Sequence, residues 1–225
     1  MIIEITGVPG SGKSSIWRIL EKKINKTKFV LGYNNIFNEI QLLVFYLYNH
    51  ENNNRYNFIF SMILKSNNTL YHKLNIVRNV IKKIAIYSKY KDKKKIYIFD
   101  EGVSHLPFNV FVDSSKKKTS NIEISNFINR IPTPDLLLLI NAGKKETTTR
   151  LKDRGHKRID LSNDEKREVF ISKSFIVRDQ VIKYYKNNNK KYRIITNNDS
   201  IENAAKVAKN IIEKYKCIDR SELLK

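Results

Sequence analysis

The sequence predicts an α/β fold with a mainly parallel sheet. Two observations support this prediction: β-rich runs alternate with helical patterns, and the run before Asp100 is almost entirely apolar. An apolar strand of this kind is typical of a parallel sheet that is buried on both faces. A third observation concerns the 7 glycines, most of which lie where predicted strands end. Because open parallel sheets bind ligands beyond those ends, we expect a binding site along that edge.

Five runs of residues predict the strands, each with a short apolar or β-branched segment next to turn-forming residues. In chain order they are 2–6, 29–33, 95–102, 131–143 and 190–199. Apolar residues at helical spacing predict the helices between them. These are 16–24, a helical region at about 36–66 with an asparagine-rich loop at 50–55, then 69–91, 144–153, 164–186 and 200–216. We expect the stretch containing Pro107 and the basic run at 116–118 to be irregular.

The overall composition predicts one cytoplasmic domain that spans residues 1–225. A chain of 225 residues can bury one large core. Cys217 is the single cysteine, which favours a reducing compartment. We find no signal peptide, and the longest apolar stretch, at 41–48, is too short to span a bilayer. We therefore expect a protein of the cytoplasm with no membrane partner.

The chain is strongly basic, but no motif concentrates the charge. It has 43 Lys and Arg against 22 Asp and Glu, for a formal net charge of +21. The lysines are scattered over predicted helices and loops and are not interleaved with aromatic residues, so a solvated surface is favoured over a dedicated nucleic-acid site. A general attraction for phosphate-bearing ligands remains.

Residues 7–15, GVPGSGKSS, form the most specific motif of the chain. They match G-x-x-x-x-G-K-[ST] between a predicted strand and a predicted helix, the context that a phosphate-binding loop requires. Glycine dihedrals let backbone N–H groups point at phosphates, and the helix adds its positive N-terminal end. We expect this loop to bind ATP, with Lys13 at the β- and γ-phosphates and Ser14 at Mg²⁺. The predicted nucleotide-binding residues are Gly7, Val8, Pro9, Gly10, Ser11, Gly12, Lys13, Ser14 and Ser15.

Two acids end the apolar strand IYIFDEG at 96–102. An aspartate at this place can hold a metal ion, usually through water, so we predict that Asp100 binds Mg²⁺ together with Ser14. Glu101 then takes a proton from an acceptor hydroxyl, or it orients the loop. The sequence leaves open which of the two acids has which role.

Three arginines, Arg150, Arg154 and Arg158, recur at four-residue spacing in TTTRLKDRGHKRID. If the segment is helical, the first two share a face, and Gly155 then ends the helix. Guanidinium groups on a lid can stabilise charge on a phosphoryl group in transfer. We predict a lid at about 150–162, with a solvated basic helix as the alternative.

Weaker candidates are residues whose position alone brings them toward the same edge. A structural role is the simpler interpretation for each of them. They are Tyr33, Asn35, Arg55, Arg78, His105 and Asn109.

With these motifs in order, the chain resembles the P-loop kinases of the nucleoside and nucleotide kinase group, and thymidylate kinase most nearly. The resemblance spans nearly the whole chain, although only the first motif is specific. It is carried by GVPGSGKSS at 7–15, FDEG at 99–102, PDLLLLINA at 134–142, RLKDRGHKRID at 150–160 and the segment from Ile195 to Ile211.

The resemblance implies a three-layer α/β/α P-loop fold, in which helices flank a mainly parallel sheet of five strands. It further implies that Lys13, Ser14 and the three lid arginines bind ATP and transition-state charge. It also implies a homodimer. Thymidylate kinases typically have Asp-Arg-Tyr or a close variant after the third strand, where this chain has DEGV at 100–103. Without that arginine, recognition of an acceptor phosphate is not expected to follow the thymidylate pattern.

The sequence therefore predicts an ATP- and Mg²⁺-dependent phosphotransferase whose acceptor is a small molecule, a nucleoside or a nucleoside monophosphate. A kinase of a sugar or a surface-polysaccharide precursor is the alternative among enzymes. A non-catalytic NTP-binding or nucleic-acid-associated protein is the alternative outside them.

Overall fold

A computed structural model of the protein has one parallel sheet with helices packed on both of its faces. It describes residues 1–24, 29–31, 53–66, 69–91, 95–113, 120–154, 163–198 and 200–222. The predicted α/β class, with its three layers and parallel sheet, is confirmed within these ranges.

Four strands of five or six residues form the body of the sheet, and a three-residue strand pairs at its edge. The strands are β1 Ile2–Gly7, β2 Phe29–Leu31, β3 Ile96–Asp100, β4 Leu136–Asn141 and β5 Tyr192–Thr196. Their spatial order is β2-β3-β1-β4-β5, and every pairing is parallel. In the described part of the chain, the sheet thus consists of four strands of five or six residues and one three-residue strand at its edge.

The register of the sheet aligns the carboxyl ends of its central strands. Ile5 of β1 lies beside Asp100 at the end of β3, and Gly7 lies beside Ile140 of β4. Asn141 in turn lies beside Thr196 of β5. The loops that leave these four strands therefore meet at one edge.

Eight helices of the described residues connect or follow the strands. They are α1 Lys13–Lys23, α2 Asn53–Lys65, α3 Leu70–Lys91, α4 Leu106–Phe111, α5 Asn121–Ile128, α6 Lys144–Arg154, α7 Asp164–Asn187 and α8 Ile201–Glu222. A 3-10 turn at Val103–His105 precedes α4. The side chain of Asn163 caps α7 by accepting a hydrogen bond from the backbone N–H of Lys166 at 2.9 Å.

Successive side chains of β1 point to opposite faces of the sheet, and the core has one layer on each face. Ile3 and Ile5 face the layer formed by α1 and α8, where Ile16 and Ala208 are also fully buried. The opposite layer contains apolar residues of α2 to α5 and α7, packed against β4 residues such as Leu137. The even positions of β1 face this second layer, and two of them are polar.

Several predicted boundaries are wrong. The stretch around Pro107 is a buried helix and not irregular. The proline is compatible with this helix because it lies near the first position, where a backbone N–H would have no helical partner. Helix α5 has no counterpart in the sequence prediction. The predicted loop at 50–55 is helical from Asn53 onward, while 36–52 and the basic run 116–118 lie outside the described residues.

The last helix also differs from prediction, because α8 continues to Glu222, beyond the predicted end at residue 216. Residues 32–33 of the predicted second strand lie outside the described residues. Among the described residues, the helices are all too short or too polar to cross a membrane.

Replacing Leu138 by alanine should lower the free energy of unfolding by about 2–5 kcal/mol, because the side chain is fully buried in the sheet and its removal leaves a cavity. Leu74→Ala on α3 is the matched control: this leucine is 60% exposed, and its loss should change stability by less than about 0.5 kcal/mol. Urea unfolding followed by circular dichroism measures both. Equal losses in the two variants would contradict the described packing.

Candidate functional site

The loop between β1 and α1 has the backbone geometry of an anion-binding turn. Gly10 and Gly12 have φ angles of 84° and 87°, which other residues adopt at a cost. The backbone N–H of Ser11 donates to the carbonyl of Val8 at 3.1 Å, and Gly12 is the N-cap of α1. The loop therefore leads directly into a helix N-terminus, where backbone N–H groups attract negative charge.

Asn197, just beyond β5, ties this loop to the rest of the sheet edge. Its side-chain Nδ2 donates to the carbonyl of Ser11 at 2.7 Å, and its backbone N–H donates to the carbonyl of Asn141 at 2.7 Å. The fit is close, since a Cβ on Gly12 would lie 2.2 Å from Nδ2. Asn197 was not predicted as a site residue, because its partner is 186 positions away in the chain.

Arg150 contacts the same asparagine from α6. Both terminal nitrogens of its guanidinium donate to the backbone carbonyl of Asn197 at 3.1 Å. Arg150 is thus bonded beside the loop at residues 7–15. The backbone of Arg154 ends α6, and Arg158 lies outside the described residues, as does most of the predicted lid.

The two predicted acids lie on the other side of the loop. Asp100 is the last residue of β3, and the backbone N–H of Glu101 donates to the carbonyl of Ile5 at 3.0 Å. A carboxylate oxygen of Glu101 lies 2.9 Å from the Nζ of Lys13. The structure therefore brings the predicted phosphate-binding lysine and a predicted acid into one ion pair, although they are 88 positions apart.

His105 supports this ion pair from the 3-10 turn. Its Nε2 lies 3.6 Å from the same Glu101 oxygen, and its Nδ1 forms a hydrogen bond of 3.0 Å with the Oγ1 of Thr6. The ring also stacks on Phe108. His105, one of the weaker candidates, thus directly contacts a predicted site residue.

The other weak candidates lie on α2, on α3, on α4 or outside the described residues. Arg78 is exposed on α3, and Asn109 is buried on α4. Arg55 lies in the first turn of α2, whereas Tyr33 and Asn35 lie outside the described residues.

Lys83 of α3 is a cation of this cluster that the sequence did not reveal. Burial lowers its pKa to about 8, although Glu101, Glu4 and Asp100 act in the opposite direction. Helix α3 packs against both β1 and the 3-10 turn, which accounts for the proximity. In the sequence Lys83 is one of many helical lysines, and no local signal distinguishes it.

Burial and neighbouring charges shift the pKa values of Asp100 and Glu101 in opposite directions. Burial and the neighbouring Glu101 carboxylate raise the pKa of Asp100 to about 6. Burial alone would also raise the pKa of Glu101, but His105, Lys13 and Lys83 outweigh it and hold that pKa well below the usual range. Adjacent carboxyl groups thus have distinct environments, as is common where two acids have different functions.

One oxygen of Asp100 is left without a hydrogen-bonding partner. Oδ1 is buried and accepts no hydrogen bond from the residues that the structure describes. A carboxylate oxygen and the hydroxyl of Ser14 are hard oxygen donors of the kind that Mg²⁺ prefers. The residues at this edge therefore fit a magnesium ion.

Comparisons with known proteins identify the fold but no sequence family. No family profile and no curated protein matches the sequence. Among solved structures, deoxyadenosine kinase from M. mycoides with bound dATP has a TM-score of 0.51 at 14% identity, over 95% of this chain and 100% of that one. The same enzyme with dCMP and dCDP bound also gives 0.51, at 15% identity and with the same coverage.

A thymidylate kinase from Ehrlichia chaffeensis has a TM-score of 0.49 at 16% identity, over 94% of this chain and 98% of that one. These structural neighbours are a deoxyadenosine kinase and a thymidylate kinase. At these identities the likeness to deoxyadenosine kinase shows a common fold, and function has to be argued from the residues of the site.

Replacing Asn197 by alanine should lower the free energy of unfolding by about 1–3 kcal/mol, because it leaves the buried Ser11 carbonyl without its donor. Asn198→Ala is the matched control, since Asn198 is exposed and its bond to the N–H of Gly143 lies in solvent. That variant should change stability by less than about 0.5 kcal/mol. If denaturant titration ranked the two variants in the opposite order, the proposed tie between the loop and β5 would be wrong.

Proposed function

We propose that the protein is an ATP- and Mg²⁺-dependent kinase that transfers the γ-phosphate to a small-molecule acceptor, a nucleoside or a nucleoside monophosphate. ATP binds on residues 7–15, with Lys13 at the β- and γ-phosphates. One acid holds the metal and the other receives the acceptor proton. We propose further that this takes place in the cytoplasm and in a homodimer.

The observation that carries this proposal is the 2.9 Å pair between Lys13 and Glu101. A phosphoryl transfer needs the donor phosphate and the acceptor oxygen in one small volume, with positive charge on the transferring group. Lys13 supplies that charge at a helix N-terminus, and Glu101 is a carboxylate beside it. Catalysis of this class of reaction depends mainly on positioning and charge stabilisation, and the Lys13–Glu101 pair can contribute to both.

We assign the metal to Asp100 and Ser14, and the base to Glu101. The buried, unpaired oxygen of Asp100 supports the first assignment. The half-exposed side chain of Glu101 supports the second, because a base has to reach a hydroxyl on a bound acceptor. When bound, Mg²⁺ would neutralise charge on the β- and γ-phosphates. Arg154 and Arg158 remain proposed lid arginines. Arg150 is the third, and its guanidinium donates to the backbone carbonyl of Asn197, whose side chain is bonded to the ATP-binding loop.

An acceptor with a free hydroxyl suits this site better than a phosphate acceptor. Asp100 and Glu101 bring two carboxyl groups next to Lys13, and Lys83 is a buried cation that interacts with both of them. A second phosphate brought close to these carboxylates would be repelled. This repulsion favours a nucleoside over a nucleoside monophosphate as the acceptor. Sugars and surface-polysaccharide precursors, which also offer a hydroxyl, remain the alternative acceptors.

Lys13→Ala should lower phosphoryl transfer from γ-labelled ATP by roughly 100- to 1000-fold, because it removes the charge that stabilises the transferring group. Lys206→Ala on α8 is the control, since that lysine is exposed and is none of the proposed site residues; it should keep full activity. The assay offers nucleosides, nucleoside monophosphates and sugars as acceptors. Transfer to none of them, with unchanged ATP binding in Lys13→Ala, would overturn both the kinase and the role of the loop.

Asp100→Asn and Glu101→Gln should affect different kinetic parameters. Loss of the metal-holding carboxylate should raise the Mg²⁺ concentration needed for half-maximal rate. Loss of the base should lower kcat by roughly 100- to 10,000-fold even at saturating Mg²⁺, with little change in KM for ATP. Steady-state kinetics over a Mg²⁺ titration measures both, and the reverse pattern would exchange the two roles.

The non-catalytic alternative makes a different prediction for the same protein. A nucleic-acid-associated protein would bind oligonucleotides tightly, and that affinity would fall steeply with added salt. Tight, salt-dependent binding without any phosphoryl transfer would favour it over the kinase.

A further inference from the structure

A buried carboxylate lies inside β1, at a place where the strand would pack well with an apolar residue. Glu4 is 1% exposed, and its neighbours Ile3 and Ile5 are fully buried. Burial raises the pKa of Glu4, and hydrogen bonds from Ser104 and Val103 oppose that effect only in part. Because a buried carboxyl group is costly, its presence calls for a function that an apolar residue could not provide.

Both oxygens of Glu4 bind the turn that follows the acid pair. The backbone N–H of Val103 donates to Oε1 at 2.9 Å, and the backbone N–H of Ser104 donates to Oε2 at 2.8 Å. These two donors belong to the start of the 3-10 turn, whose N–H groups have no helical partners. Glu4 thus acts as a cap contributed by a distant strand.

The contact also explains the glycine of the DEG motif. A Cβ on Gly102 would lie 2.2 Å from the carboxyl carbon of Glu4, so no larger residue fits while the carboxylate keeps its position. Gly102 itself has an ordinary φ of −65°, which leaves close approach as the physical reason for a glycine here.

Glu101, which precedes this glycine, has a strained backbone. Its φ is 54°, in the left-handed region that costs a non-glycine residue roughly 1–3 kcal/mol and persists only where the surroundings hold it. On one side it is held by the 3.0 Å bond to Ile5, and on the other by the turn that Glu4 caps.

Thr6 completes the support two residues farther along the same face of β1. It bonds to His105, whose backbone N–H donates to the carbonyl of Gly102 at 3.1 Å and whose ring reaches Glu101. Glu4 and Thr6 therefore hold the two ends of one turn, and Glu101 projects from its beginning toward Lys13.

We propose that Glu4 is a positioning residue of the phosphoryl-transfer site: its carboxylate holds the turn at 102–105 in the geometry that presents Glu101 to Lys13 and to the acceptor hydroxyl. The proposal rests on the proposed function, in which Glu101 is the base. Glu4 touches neither ATP nor acceptor in this scheme and acts through Glu101.

The test compares Glu4→Gln with the wild-type protein by kinetics and by hydrogen exchange. Glutamine keeps the size, but its amide group meets one of the two N–H donors with another donor, so the turn should loosen. We expect kcat to fall by about 10- to 100-fold, because a displacement of about 1 Å can have that effect, while KM for ATP changes little. In hydrogen-exchange mass spectrometry, peptides with Val103 and Ser104 should lose protection, and peptides of β4 should not.

Tyr185→Phe is the matched control. It removes a buried hydroxyl that forms a 2.9 Å hydrogen bond with Ser104 Oγ, in the same region, but leaves both bonds to Glu4. It should keep wild-type kcat and wild-type exchange at the turn. An equal loss of kcat in Tyr185→Phe would mean that the region is only structurally sensitive, and the proposal would be wrong.

A second variant covers the case in which Glu4→Gln does not fold. Gly102→Ala pushes against the same carboxylate from the other side and should give the same kinetic and exchange pattern. Gly143→Ala is its control, because a Cβ there would meet only the side-chain end of Glu146.

The two proposals fail in different ways. Absence of transfer by the wild-type protein overturns the proposed function and the catalytic part of this inference, while the exchange readout still decides whether Glu4 holds the turn. In an active protein, an unchanged kcat or unchanged protection of Val103 and Ser104 in Glu4→Gln overturns the inference alone.

Discussion

The parallel pairing of β1 with both β3 and β4 is the constraint on which the rest of the structure depends. It aligns Ile5 with Asp100 and Gly7 with Ile140, so that the loop after β1 begins between the acid turn and the β4 end. The glycine loop would lead into a helix N-terminus without this register, but Lys13 would have no acid beside it. The register therefore creates the site, and the local motif supplies only half of it.

The features predicted correctly from the sequence are those that depend on residues close together in the chain. Glycine spacing and a following lysine define the loop at 7–15 without knowledge of the fold, and the edge rule for parallel sheets brings Asp100 and Glu101 toward it. Glu4, Lys83 and Asn197 were missed, because each acts through partners distant in the chain. Helix α4 was missed for a different reason: the stretch containing Pro107 was expected to be irregular, although this proline lies where a helix accepts one.

The same alternation in β1 that builds the core also supports the site. Odd positions are apolar and bury the face toward α1 and α8, while Glu4 and Thr6 on the other face hold the turn that carries Glu101. A shift of one residue in the strand would exchange these faces, placing a carboxylate in an apolar layer and removing both supports of the turn at once. Fold and site geometry are thus specified by the residues of one strand, and selection for one constrains the other.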